Sequence, residues 1–178
     1  VYKRQALGLT ATEAHFDSTI AWTRQVLRNE TVDLVVDNAE WSGDQGEVQV
    51  IVRNKAGHKF PSGYPARRAW IEVVAHQNGD TLWHSGKWEQ GGFLVGVDEG
   101  GLSTYEPHYT DIVEEDEVQV YELVTVDVTG APTNVLERAA GSAKDNRLLP
   151  VGFTHEHAVY DTTRVEGLAL EDEDFVLQ

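Results

Sequence analysis

Neither cysteine nor methionine occurs among the 178 residues of this chain. Without cysteine there is no disulfide, no thiolate metal site and no cysteine nucleophile. Basic side chains are scarce: 14 lysines and arginines stand against 30 acids, for a formal net charge of −16. Such a chain has no basic stripe to neutralise phosphates, which argues against nucleic acid as a partner. The same charge disfavours an anionic membrane surface; it suits solubility at high salt or a basic partner. No apolar run approaches the roughly 18–20 residues that a bilayer-spanning helix needs. Common catalytic motifs are missing as well. Ser62 sits in Pro61-Ser62-Gly63 rather than in a nucleophile elbow. Glu99-Gly100-Gly101-Leu102 neither follows a strand pattern nor opens a helix, so it is no phosphate loop.

What is present describes an ordinary domain. Hydrophobic residues make up 40% and charged residues 25%, the proportions of a globular protein, and the length suits one domain with a real core. Val1-Tyr2-Lys3-Arg4-Gln5 reads as the translation of a sequencing-adapter end, so these residues are set apart from the fold. Together with the absent initiator methionine, that points to a metagenomic fragment truncated at both ends. The expected organisation is residues 1–5 as adapter, 6–30 as a linking or packing helix, and 31–178 as a β-sandwich domain incomplete at its C-terminus.

Thr10 and Glu13 have capping-box spacing, and Phe16, Ile20, Thr23 and Leu27 share one face, predicting a helix over 10–28. From Thr31 the period becomes two: Val32, Leu34 and Val36, then Val48, Val50 and Val52 after a turn at Ser42-Gly43-Asp44. Residues 69–75 are apolar on both faces and predict a central strand, while Asn78-Gly79 predicts a hairpin returning over 81–85. The glycine-rich stretch 86–107, with Trp88, Phe93 and Tyr105, reads as a long surface excursion. The strongest strand pattern covers 117–128, broken at Thr129-Gly130-Ala131-Pro132 and followed by a helical turn at 134–140. Lys144-Asp145-Asn146-Arg147 reads as a polar turn feeding an apolar extended segment, with further strand signals at 158–160 and 175–177. The fold class is therefore mostly β, an antiparallel β-sandwich with an N-terminal α-helix.

The connection over 57–70 exceeds what a hairpin needs, since two to five residues suffice. It carries Gly57, His58, Pro61, Gly63, Tyr64, Arg67, Arg68 and Trp70, a composition for a packed plug or for part of a binding site. His58 either holds this loop through backbone hydrogen bonds or presents its imidazole to a metal or haem iron. Arg67 and Arg68 point to opposite faces if extended, so one can pair with a buried acid and the other with a carboxylate or haem propionate. No metal site is assigned; His155 and His157 come nearest, sharing a face if that segment is extended. The acidic runs 114–117 and 171–174 read as solvated turns.

The segment from Asn54 through Gly57-His58-Lys59-Phe60-Pro61-Ser62-Gly63 to Arg67-Arg68-Ala69-Trp70 resembles a segment in the non-haem C-terminal part of certain multihaem c-type cytochromes. Lys144-Asp145-Asn146-Arg147-Leu148-Leu149-Pro150-Val151-Gly152-Phe153 is similar to a second segment of the same proteins, in the same order and at a similar spacing. Ser62 replaces the more usual threonine and keeps the hydroxyl. The resemblance implies an extracytoplasmic electron-transfer protein, periplasmic or extracellular, with haem c held in an upstream domain and redox proteins as partners. It implies a haem-shielding or partner-docking role for this chain, in which His58, Arg67 and Arg68 face a haem. It also implies structural roles for Gly57, Pro61, Gly63, Trp70, Asp145, Asn146, Arg147, Pro150 and Phe153, with the two segments packed together. Lacking cysteine, the chain itself cannot attach haem c covalently. The alternatives are a carbohydrate- or protein-binding β-sandwich, which would expose Trp70, Trp83 or Trp88 as a flat platform, and a metal-dependent hydrolase built on His155, His157 and a carboxylate.

Overall fold

The computed structural model describes residues 8, 10–98 and 104–176. The adapter-like N-terminus, the stretch Glu99-Gly100-Gly101-Leu102 and Leu177 of the last strand signal lie outside them. Contacts divide the chain into two units, one up to Ala56 and one from Gly57 onward. The first hairpin therefore groups with the helix, whereas the sequence pattern placed a boundary between residues 30 and 31.

In the first unit, helix α1 runs from Glu13 to Asn29. Its N-cap is Thr12, two residues beyond the predicted Thr10, because the Thr12 amide donates to Nδ1 of His15 at 3.1 Å. Glu13 then becomes a first-turn acid, favourable at the positive end of the helix. Phe16, Ile20 and Leu27 do share a face but stay 43%, 48% and 61% exposed. Strands β1 (Val32–Ser42) and β2 (Gln45–Asn54) form an antiparallel hairpin, with Gly43 at φ 67° in its turn. The period-two pattern is realised here: Leu34 faces Val52 and Val36 faces Val50, until the register slips at Asp37.

The second unit holds β3 (Arg68–Trp70), β4 (Val73–Gln77), β5 (Asp80–Ser85), β6 (Trp88–Glu89), β7 (Phe93–Leu94), β8 (Val120–Val126) and β9 (Gly141–Asp145). Every pairing is antiparallel: β3–β8–β9 in one sheet, β4–β5 and β6–β7 as hairpins. With α1 ahead of them, the strands give the expected mostly-β antiparallel fold. The single strand expected over 69–75 is divided, however, and neither half is central. Ile71 donates to Gln119 O at 3.2 Å, the last bond along that edge. Gly86 then crosses so closely that a Cβ there would lie 2.3 Å from Ile71 O, and the chain turns away to pair with β5. The central strand is β8. The Asn78-Gly79 turn behaves as predicted, with φ of 54° and 96°, the left-handed pair of a two-residue hairpin.

Among the described residues, two apolar clusters form the core. Leu94, Val97, Val118 and Val120 are buried with Trp70 packed on them, so the 86–107 excursion is not a surface loop throughout: it folds back through β6–β7 and inserts Leu94. The second cluster is Leu149, Val165 and Ala169, with Phe153 and Phe175 against it. The strand signals at 158–160 and 175–177 give way to helical turns at Tyr160–Thr163 and Glu173–Val176. Local side-chain bonds explain this: the Thr162 and Thr163 hydroxyls donate to Val159 O, and Asp172 accepts from the Asp174 amide. A 3-10 turn at Leu136–Arg138 falls within the predicted 134–140.

Candidate functional site

The two segments that carry the cytochrome resemblance meet in one place. Phe60 and Leu148 form an antiparallel β-bridge, with bonds of 3.0 Å from Phe60 N and 2.8 Å from Leu148 N. Beside it Lys59 Nζ reaches Asp145 Oδ2 at 2.7 Å and Arg164 O at 2.9 Å. Arg147 grips the same carboxylate with Nε and Nη2, each at 2.8 Å. The expected polar turn at 144–147 is thus largely interior: Lys144, Asp145 and Asn146 are 2%, 5% and 0% exposed. Buried charges persist only when paired and hydrogen-bonded, and these are. Burial alone would push the Asp145 carboxyl up, but the hydrogen bonds from Arg147 and Lys59 outweigh it and hold it below the ordinary value. For Lys59 and Lys144 burial wins instead and pulls both ammonium groups down, against the pairing with Asp145 and Glu122.

The loop over 57–70 is chiefly a plug. Pro61, preceded by a cis peptide bond, is buried. Tyr64 donates its hydroxyl to Asn134 O. Gly63 sits at φ 90° beneath the Arg67 guanidinium, which would lie 3.0 Å from an added Cβ, and Arg67 Nη1 donates to Ser62 O at 3.2 Å. Arg68 forks onto Asp98 at 2.6 and 2.5 Å and also donates to Gly92 O. That hydrogen bond raises Arg68 and lowers Asp98. His58 is exposed, with Nδ1 3.0 Å from Lys59 O, the loop-holding geometry. Trp70 donates Nε1 to Gly86 O at 3.1 Å and packs on the first cluster, which is not a flat exposed platform. Trp83 is half-buried and Trp88 exposed.

His155 stands edge-on to Tyr160 with centroids 5.8 Å apart, and His157 Nδ1 accepts from the Val159 amide at 3.3 Å. Among the described residues no group of three histidine or acidic side chains is placed to hold a metal ion, so this pair is not completed into a site. The haem implied by the resemblance finds no covalent anchor in a cysteine-free chain, and His58 does not line the cleft described below.

A polar cluster that the sequence did not announce lies beside the start of β8 and the end of β9. His108 Nδ1 lies 3.1 Å from Gln119 Nε2 and 3.2 Å from Asn146 Nδ2. Those amides can only donate, so Nδ1 accepts and the proton sits on Nε2, which donates to Asp172 Oδ2 at 2.7 Å. Asn146 also donates to Val120 O and accepts from the Glu122 amide. Asp172 therefore belongs to the interior network and not to a solvated turn. Among the described residues every buried side-chain nitrogen and oxygen has a hydrogen-bond partner.

One cleft opens over the ion triad, with a volume of about 520 Å³. Lys59, Asp145 and Arg147 give it charged lining, and Pro150, Phe153 and Val159 apolar lining. Gly57, Val151, Gly152 and His157 also line it, with Thr154, Thr162 and Thr163. The three threonines carried no sequence signal and Val159 only a strand signal, because these residues converge only once the segment after Phe153 folds into a helical turn.

No family model matches this chain, and neither a curated protein nor a solved structure does so.

Proposed function

We propose that this chain is an accessory domain of an extracytoplasmic multihaem cytochrome, in which it shields haem edges or docks redox partners rather than performing chemistry. The observation that carries this reading is the joining of the two resembling segments through Phe60 and Leu148 and through the Lys59–Asp145–Arg147 triad. Residues read as a family signature from separate places in the sequence thereby form one structural unit. The hydrolase alternative needs His155, His157 and a carboxylate to converge, whereas His155 stands edge-on to Tyr160 and His157 accepts from the Val159 amide. Of the three tryptophans that the carbohydrate-binding alternative could use as a platform, Trp70 is withdrawn into the first cluster and Trp88 alone is exposed.

In this reading the upstream domain carries haem c, and the protein is periplasmic or extracellular. Arg68 is committed to Asp98, so among the three residues first considered for haem contact His58 and Arg67 stay exposed to meet it. Covering a haem edge excludes water, one of the levers that set its potential. Reading the coding sequence upstream of this chain tests the proposal. Repeated Cys-x-x-Cys-His motifs there are expected; a cysteine-free secreted protein overturns it.

A further inference from the structure

The cleft over the triad has a charge and donor pattern of its own. Two cations, Lys59 and Arg147, line it against one carboxylate, Asp145, a local positive surplus in a chain of net charge −16. Arg147 uses Nε and Nη2 on Asp145, leaving Nη1 without a partner among the described residues. His157 accepts the Val159 amide on Nδ1, which places its proton on Nε2 as a second donor. The Thr162 and Thr163 hydroxyls already donate to Val159 O, so they add no donor. Arg147 Nη1 and His157 Nε2 match the two oxygens of a carboxylate, and further donors stand by: Lys59 spends two of its three N–H groups on Asp145 and Arg164, and the Thr154 hydroxyl accepts from the Glu156 amide with its own proton uncommitted. Pro150, Phe153 and Val159 add apolar lining, and the volume of about 520 Å³ falls within the range of small-ligand sites.

We propose that this cleft binds a small organic carboxylate with an apolar body, its oxygens at Arg147 and His157 and its body along Phe153 and Val159. The inference goes beyond the accessory-domain reading and does not depend on it: a failed titration leaves the upstream haem motifs unaffected, and a haem-free parent leaves the cleft intact.

The test is a titration of the full 178-residue chain with 3-phenylpropionate, followed by amide NMR. Acetate supplies the charge without the body, and 3-phenylpropanol the body without the charge. Saturable shifts at Gly152, Thr154 and Val159 are expected with phenylpropionate, at an affinity about tenfold above either control. Arg147→Gln is expected to weaken binding about tenfold. Because Arg147 also holds Asp145, a second variant decides if the first fails to fold. Val151 is 87% exposed and lines the cleft, so Val151→Asp adds a repelling carboxylate without touching the core, and binding several-fold weaker than wild type is expected. Absence of saturable shifts, equal binding of the alcohol, or wild-type affinity in Val151→Asp overturns the proposal.

Discussion

Phe60 and Leu148 exchange both of their main-chain hydrogen bonds, at 3.0 and 2.8 Å. This single bridge closes the loop over 57–70 against the segment after β9, and it places Lys59 and Arg147 on the two sides of Asp145. The geometry makes Asp145 the common partner, so the three residues should fail unequally when removed.

Asp145→Asn leaves two cations over a neutral amide, whereas Lys59→Met leaves the Arg147 fork in place. The first is expected to cost about 3 kcal/mol of stability and the second clearly less. A double-mutant cycle by urea unfolding should give a coupling of about 1–3 kcal/mol between Lys59 and Asp145; additive losses would separate them.

The Asp145 and Asp98 carboxyls both lie below their ordinary values in the folded chain. The unfolded chain therefore binds protons first as the pH falls. The stability these pairs contribute is present above the ordinary aspartate value of about 3.9 and is lost as the pH drops through the lower folded values. Unfolding free energy measured from pH 6 downward should fall below about pH 4, and less steeply in Asp145→Asn.

Gly86→Ala should destabilise by about 2 kcal/mol or more, since a left-handed φ of 73° is combined with a Cβ 2.3 Å from Ile71 O. Gly79→Ala is the control: φ is 96° but nothing lies within 4 Å, so a cost of about 1 kcal/mol is expected. Equal losses in thermal unfolding would contradict the close crossing that divides β3 from β4.

Leu94 is 1% exposed in the first cluster. Leu94→Ala should cost about 2–5 kcal/mol in chemical unfolding, where a residue of a surface loop would cost little.

Legibility in the sequence followed the range of the interaction. The β1–β2 and β4–β5 hairpins were readable because period-two alternation and the Asn78-Gly79 turn are local. The division of residues 69–75 was not, because it depends on Gly86 arriving from another part of the chain. Lys144, Asp145 and Asn146 read as a polar turn, since composition cannot reveal that Lys59, Glu122 and His108 come to meet them. One of Arg67 and Arg68 is expected to pair with an acid, but nothing in the sequence singles out Arg68 or marks Asp98 as that acid. The joining of 57–70 to 144–153 was legible only through the resemblance, which tied the two segments before any contact was visible.

A place beside a haem domain is the central proposal for this chain. The direct measurement is the haem-to-protein ratio of the natural gene product, by alkaline pyridine spectrum against amino-acid analysis. Several covalently bound haems per polypeptide are predicted; a haem-free product would contradict the account.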